Sequence, residues 1–181
     1  DIVARRNYSL VFEVNDPVRD PHMIAYDKAH VVLLDAIERR ETFAKAPHSE
    51  LQQIADMLGV RVKQPGPTLK SWTEFDGWWK SVERDGRFYQ WRGEHIEGFV
   101  AEDLAGFQFK IKLYFYSFWK WMRSHRDRVR RSREKGQPLP AAPDDPEAVR
   151  FHEWLIVQPD EALSHDIIRL RTAYQSERTV S

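Results

Sequence analysis

Apolar positions alternate along Tyr8, Leu10, Phe12 and Val14, a period of two that predicts a β-strand over Tyr8 to Asn15. Asp16-Pro17 and Asp20-Pro21 then punctuate a turn or loop. Short β-rich runs follow at Ile24 to Tyr26 and Val31 to Ile37, and Val31-Val32-Leu33-Leu34 is apolar enough for burial on both faces. The opening third thus reads as an antiparallel β-meander. The period changes at Ser49, a candidate N-cap, where Leu51, Ile54, Ala55 and Leu58 share one helical face that Gly59 ends. Val60 and Val62 resume strand character, and a second helix follows Leu69 and Ser71 with Trp72, Phe75, Trp78, Trp79 and Val82 at helical spacing.

Sheet returns at Ile96 to Glu102 and Phe107 to Leu113, two runs joined across Ala105-Gly106 that predict a hairpin. From Tyr116 a helix runs through Phe118, Trp119 and Met122 into a basic stretch ending near Gly136. Four prolines at 138, 140, 143 and 146 mark an extended linker. Two amphipathic helices are expected beyond it, over Glu147 to Val157 and Pro159 to Tyr174.

The 181 residues, 41% of them hydrophobic, suffice for a domain or a domain and a half with a core of its own. Lys plus Arg equals Asp plus Glu, so whole-molecule charge gives no reason to expect nucleic acid, and any such case rests on local clustering. The absence of cysteine excludes disulfides, thiolate zinc sites and a cysteine nucleophile. No apolar run approaches the roughly 20 residues that span a bilayer and no signal-peptide pattern opens the chain, so the cytoplasm is the expected location. Asp1 leads within a few residues into the first strand, which raises the expectation that the chain begins partway into a domain.

Glu13 and Glu97 are carboxylates in otherwise apolar strands, where each needs a cation, a metal or hydrogen-bond donors, unless it faces water. Lys110 and Lys112 fall on one face of one strand about 7 Å apart, a spacing that suits neighbouring phosphate oxygens and equally suits protection of a sheet edge. Gly98 reads as a bulge or turn residue, and Leu33-Leu34 as core or as a wall for a flat ring.

Taken in order, Phe12-Glu13, the run ending Leu33-Leu34-Asp35, Glu97-Gly98-Phe99-Val100 and Lys110-Ile111-Lys112 resemble motifs III, IIIa, IV and V of the bacteriophage RNA ligase 1-like family of covalent nucleotidyltransferases. The hairpin EGFVAEDLAGFQFKIK is the most specific part, and the resemblance covers about two-thirds of the chain. It implies an α+β fold, with an antiparallel, ATP-grasp-like nucleotidyltransferase sheet carrying inserted helices over residues 1–116 and a helical C-terminal module over 117–181. It also implies ATP-dependent joining of RNA 5′-phosphate and 3′-hydroxyl ends with Mg²⁺ or Mn²⁺. In that reading Lys110 and Lys112 contact ATP or AMP phosphates and help keep an attacking lysine neutral. Glu97 holds or orients the metal, Glu13 binds the nucleoside sugar or metal shell, and Leu33, Leu34 and Val100 sandwich adenine. The family's nucleophile motif, Lys-x-Asp-Gly or Lys-x-Glu-Gly, is absent from the 181 residues. Since it precedes motif III in these enzymes, a missing N-terminal half, in the full-length protein or on a separate chain, is the expected explanation, and this chain alone is expected not to self-adenylylate.

The basic run after motif V nominates Arg123, Arg126 and Arg130 for RNA phosphates; a solvated face balanced by the acidic residues from Asp144 to Glu161 remains the alternative. The aromatic run from Tyr114 to Trp121 reads mostly as core, and the seven histidines show no metal-binding spacing. Two rival functions stay open: another nucleotidyltransferase, such as a capping enzyme or DNA ligase, and a non-catalytic RNA- or nucleotide-binding module on a decayed ligase scaffold.

Overall fold

A computed structural model describes residues 2–179, which fall into two compact units that divide between Thr68 and Leu69. The architecture is mixed α+β, with small sheets and, among the described residues, seven helices.

In the first unit, α1 (Ile2–Arg6) leads into β1 (Tyr8–Asn15), which pairs antiparallel with β2 (His30–Glu38). The pairing slips between Val11 and Phe12, which face Asp35 and Leu33, so Leu34 is an extra residue on β2. Such a bulge lets residues three apart share a face. Leu33 and Ala36 consequently both turn inward, beside Tyr8, and pack with Leu51, Ile54 and Ala55 of α2 (His48–Leu58). The third strand, β3 (Arg61–Val62), follows α2 and lies parallel to β2, with Leu33 opposite Val62. A helix between two neighbouring strands is the connection that parallel pairing requires, so the sheet is not the antiparallel meander its periodicity suggests.

Three further local expectations are corrected. Ile24 to Tyr26 is irregular; Met23 and Ile24 are buried and serve as apolar anchors of a long loop. Pro47, not Ser49, caps α2, because the helix already starts at His48 and Pro47 holds an extended φ of −63° without a side-chain cap bond. Of Val31 to Leu34, only Leu33 is fully enclosed.

The second unit opens with α3 (Trp72–Asp85), whose N-cap Ser71 accepts a hydrogen bond from the Glu74 amide. A single 3₁₀ turn (Gly86–Phe88) leads towards the hairpin of β4 (Gly98–Glu102) and β5 (Gln108–Lys112), paired Gly98 to Lys112 and Glu102 to Gln108. At its tip the Asp103 carboxylate accepts from the amides of Ala105 and Phe107, and Gly106 takes φ +84°. The 21-residue α4 (Tyr114–Glu134) then buries Phe115, Phe118, Trp119, Met122 and Val129 along one stripe. Asp145 caps α5 (Pro146–Leu155), with Pro146 at its first turn. The expected final helix is two: α6 (Asp160–Leu163) and α7 (Ile167–Thr179), separated at Ser164–Asp166.

A polar pair crosses this second core. His125 on α4 and His152 on α5 are buried, with Nε2 of the first 2.8 Å from Nδ1 of the second. Arg128 donates to His125 Nδ1 at 3.1 Å, which fixes the proton on Nε2 and makes His125 the donor to His152. Desolvation, then the neighbouring His152 and Arg128, hold the His125 imidazolium down to a pKa of about 4, and desolvation also lowers His152. Because the folded pKa lies below the unfolded value of about 6.5, the unfolded chain binds the extra proton between these values. Stability from the neutral pair is therefore present above pH 6.5 and is lost as pH falls towards 4. Urea unfolding should show a midpoint that drops over this window, with a shallower drop in His125→Gln; equal slopes in the two proteins would contradict the assignment.

Candidate functional site

The β4–β5 hairpin gathers most of the chemistry. Its register places Phe99 opposite Ile111 and Ala101 opposite Phe109. Phe99 meets Trp78, Tyr89 and Trp91 edge-on, and Phe109 meets Phe75, so this face is seated on aromatic rings. Alternation sends Gly98, Val100, Lys110 and Lys112 to the opposite face, where Lys110 is exposed opposite Val100 and Lys112 stands opposite Gly98. Val100 is 58% exposed.

Lys112 is held from two sides. Its ammonium forms an ion pair with the carboxylate of Glu97, the residue just before β4, and lies 5.0 Å from the centre of the Tyr116 ring. Lys120, one turn on, approaches the same ring at 5.8 Å. Both partners of the Glu97–Lys112 pair are a third or more exposed, so water screens the attraction and exchange for another ion is inexpensive. The carbonyl of Glu97 accepts from the Leu113 amide at 3.0 Å, which ties the residue before β4 to the residue after β5.

Gly98 has a stronger reason to be glycine than a turn. A Cβ there would lie 2.0 Å from the Ile111 carbonyl oxygen, inside backbone that cannot move aside without breaking the pairing.

In the first unit, Glu13 is exposed on the sheet face opposite α2, paired with Val32, which in turn faces Arg61. That face continues into a polar network absent from the sequence reading. Asn15 and Arg61 approach Nε2 of His30 at 3.5 and 3.3 Å, and His30 Nδ1 lies 3.0 Å from the Lys28 carbonyl. Arginine has only donors, so Nε2 accepts and Nδ1 carries the proton. Asp35 is nearly buried, 3.5 Å from the Lys63 ammonium, and accepts from the Ala36 amide.

Two expected site residues are corrected by burial. Leu33 is completely enclosed in the first core, so it cannot flank a ligand; Leu34, displaced by the bulge, is partly exposed. Arg126 is 8% exposed, donates to the carbonyls of Leu163 and His165, and pairs with Asp127 at 2.8 Å. It closes the turn between α6 and α7 and is not offered to RNA. Arg133 acts similarly, donating to the carbonyls of Ile156 and Gln158 and to Asp160. Arg123 and Arg130 remain partly exposed, the latter 3.6 Å from Glu134.

Among the described residues no group of three or more His, Asp or Glu side chains is placed to hold a metal ion, and no helix is long and apolar enough to cross a membrane. A hairpin that presents two lysines and a carboxylate on one side, braced by aromatics on the other, can bind phosphate oxygens electrostatically.

Against known proteins, the RNA ligase family model matches residues 2–116, well over half of the chain, and the match takes in both sheets and the start of α4. The chain therefore belongs to the bacteriophage RNA ligase 1-like family. No curated protein shows a significant match.

The Gly98→Ala protein should be less stable than the parent by about 1–3 kcal/mol, the usual range for forcing an extra carbon into a packed site. Urea unfolding measures it, and a change within 0.5 kcal/mol would show that the strands can part without cost, on the order of a neutral surface substitution.

Proposed function

We propose that the chain contributes the phosphate-binding hairpin of an ATP-dependent RNA ligase, which joins a 5′-phosphate to a 3′-hydroxyl through enzyme–AMP and RNA–adenylate intermediates. The observation that carries this reading is the placement of Lys110 and Lys112 on one open face of the hairpin, with Glu97 ion-paired to Lys112, inside the stretch that matches the RNA ligase family.

Each step moves a phosphoryl group. A lysine nitrogen displaces pyrophosphate from the α-phosphorus of ATP; the RNA 5′-phosphate oxygen then takes AMP from that lysine as the P–N bond breaks. The 3′-hydroxyl oxygen finally attacks the RNA phosphorus, and AMP leaves. Little covalent work falls to surrounding side chains, which act by positioning and by offsetting charge on the phosphate oxygens. The Lys112–Glu97 pair suits this role: a phosphate oxygen would replace the Glu97 carboxylate at Lys112, and the freed carboxylate would be the group to hold a metal ion accompanying the nucleotide.

Mg²⁺ or Mn²⁺, when bound, supplies charge neutralisation at the transferring phosphoryl oxygens. Mg²⁺ usually keeps several waters and is held by one or two carboxylates plus substrate phosphates. The single carboxylate of Glu97 fits that arrangement and does not require a cage of protein ligands. Val100, exposed opposite Lys110, serves as an apolar contact for adenine. Arg123 and Arg130 are the arginines of α4 assigned to RNA phosphates. Residues 1–116 form the ligase portion in this reading and 117–181 a helical module. No residue here is assigned as the nucleophile, since none of the lysines opens a Lys-x-Asp-Gly or Lys-x-Glu-Gly sequence.

Calorimetric titration of ATP with Mg²⁺ into the 181-residue chain tests the reading without requiring covalent chemistry. Lys112→Ala and Lys110→Ala should each weaken binding by about 10- to 100-fold, the equivalent of roughly 1.5–3 kcal/mol for a charge-assisted hydrogen bond. Tighter binding of GTP than ATP would point to a capping-type enzyme. ATP affinity unchanged in both lysine variants would remove the hairpin from the site.

A further inference from the structure

A cavity of about 430 Å³ in the second unit has no residue of β4 or β5 in its lining, and nothing in the proposed reaction uses it. The volume falls within the roughly 300–1,000 Å³ typical of small-molecule sites. Its walls come from the 3₁₀ turn, α4, α5 and α7. Phe115 and Trp119 line it, and His95 lies flat on Phe115, with centroids 3.7 Å apart and planes 5° from parallel. Phe88 stands at the rim, 74% exposed, with the Arg87 guanidinium 4.9 Å above its ring.

The polar groups of the cavity carry excess positive charge. Glu147 accepts from Arg150 at 2.6 Å, Arg178 at 2.7 Å and the Tyr174 hydroxyl at 3.0 Å, so its carboxylate is already fully engaged. Arg87 is left at 3.5 Å from it, beyond a good hydrogen bond. Arg171 lies behind the wall, over Phe115 and Trp119 at 4.9 and 5.5 Å. Among the residues that line the cavity, two guanidiniums, of Arg87 and Arg178, are set against one carboxylate, that of Glu147. An anion at Arg87 and Arg178 would balance the charge, and an aromatic ring would complete the stack at the rim.

We propose that this cavity binds one nucleoside monophosphate unit, with its phosphate at Arg87 and Arg178 and its base against Phe88. Guanidinium matches phosphate in a planar, two-pronged fashion, and base stacking on aromatic side chains tolerates any base. The proposal rests on the RNA ligase reading only for the source of the nucleotide, a unit of an RNA strand; the site's own chemistry does not depend on the hairpin.

The test titrates AMP into the 181-residue chain carrying Lys110→Ala, which weakens the hairpin's own affinity for the probe, with ribose 5-phosphate and adenosine titrated in parallel. AMP should bind saturably and more tightly than either part. Arg87→Gln, added to that background, should weaken AMP at least tenfold, and Phe88→Ala, at a position too exposed to disturb folding, should weaken it several-fold. The proposal is overturned if AMP does not bind the Lys110→Ala chain, if neither added substitution changes its affinity, or if ribose 5-phosphate binds as well as AMP. Each of these results leaves ATP binding at Lys110 and Lys112 to stand or fall separately.

Discussion

Because Gly98 has no side chain, β4 and β5 close to a distance at which a single added carbon would meet the Ile111 carbonyl oxygen. That approach holds Gly98 opposite Lys112, and the register follows from it: Lys110 opposite Val100, and Phe99 and Phe109 turned to the other face. A slip by one residue would bury the lysines among Trp78, Tyr89 and Trp91 and expose the phenylalanines. The aromatic side therefore sets the orientation, and the lysine side inherits it. The placement of Lys110 and Lys112 on the open face depends in this way on apolar packing on the opposite face.

Arginine has a second use in the same unit. Arg126 and Arg133 project from α4 to carbonyls that helix termini and turns leave without partners, at Leu163, His165, Ile156 and Gln158. A buried carbonyl without a donor is costly, and a guanidinium with five donors can serve several at once. Glu147 gathers Arg150, Arg178 and Tyr174 from α5 and α7, and these bonds outweigh the burial that opposes its ionisation, so its carboxyl stays below the usual range. Two of the basic residues of α4, Arg126 and Arg133, thus connect the C-terminal helices, while Lys120, Arg128 and Arg131 stay exposed.

What the sequence disclosed was mainly what repeats locally. Alternation located β1 and the hairpin, helical spacing located α2, α3 and α4, and Gly59 marked the end of α2, where the backbone takes a left-handed φ. The motif order led to the family, which the match over residues 2–116 shows. Long-range geometry was not legible. The bulge that inserts Leu34 and buries Leu33 arises from pairing with β1, and the parallel placement of β3 arises from packing of α2. Arg126 looks like its neighbours along the chain; only the turn at His165, thirty-nine residues away, makes it a structural donor. The His125–His152 pair and the Glu147 cluster likewise join residues more than twenty positions apart and leave no local signature.

The central claim, that phosphate replaces Glu97 at Lys112, is most directly tested by ¹⁵N NMR of the lysine ammonium groups as ATP and Mg²⁺ are added. Direct contact predicts that the Lys112 and Lys110 signals shift together and saturate with the nucleotide, with the Glu97 carboxylate ¹³C signal moving in step as it leaves Lys112. Saturating nucleotide that shifts other lysines while Lys110, Lys112 and Glu97 stay in place would contradict the account.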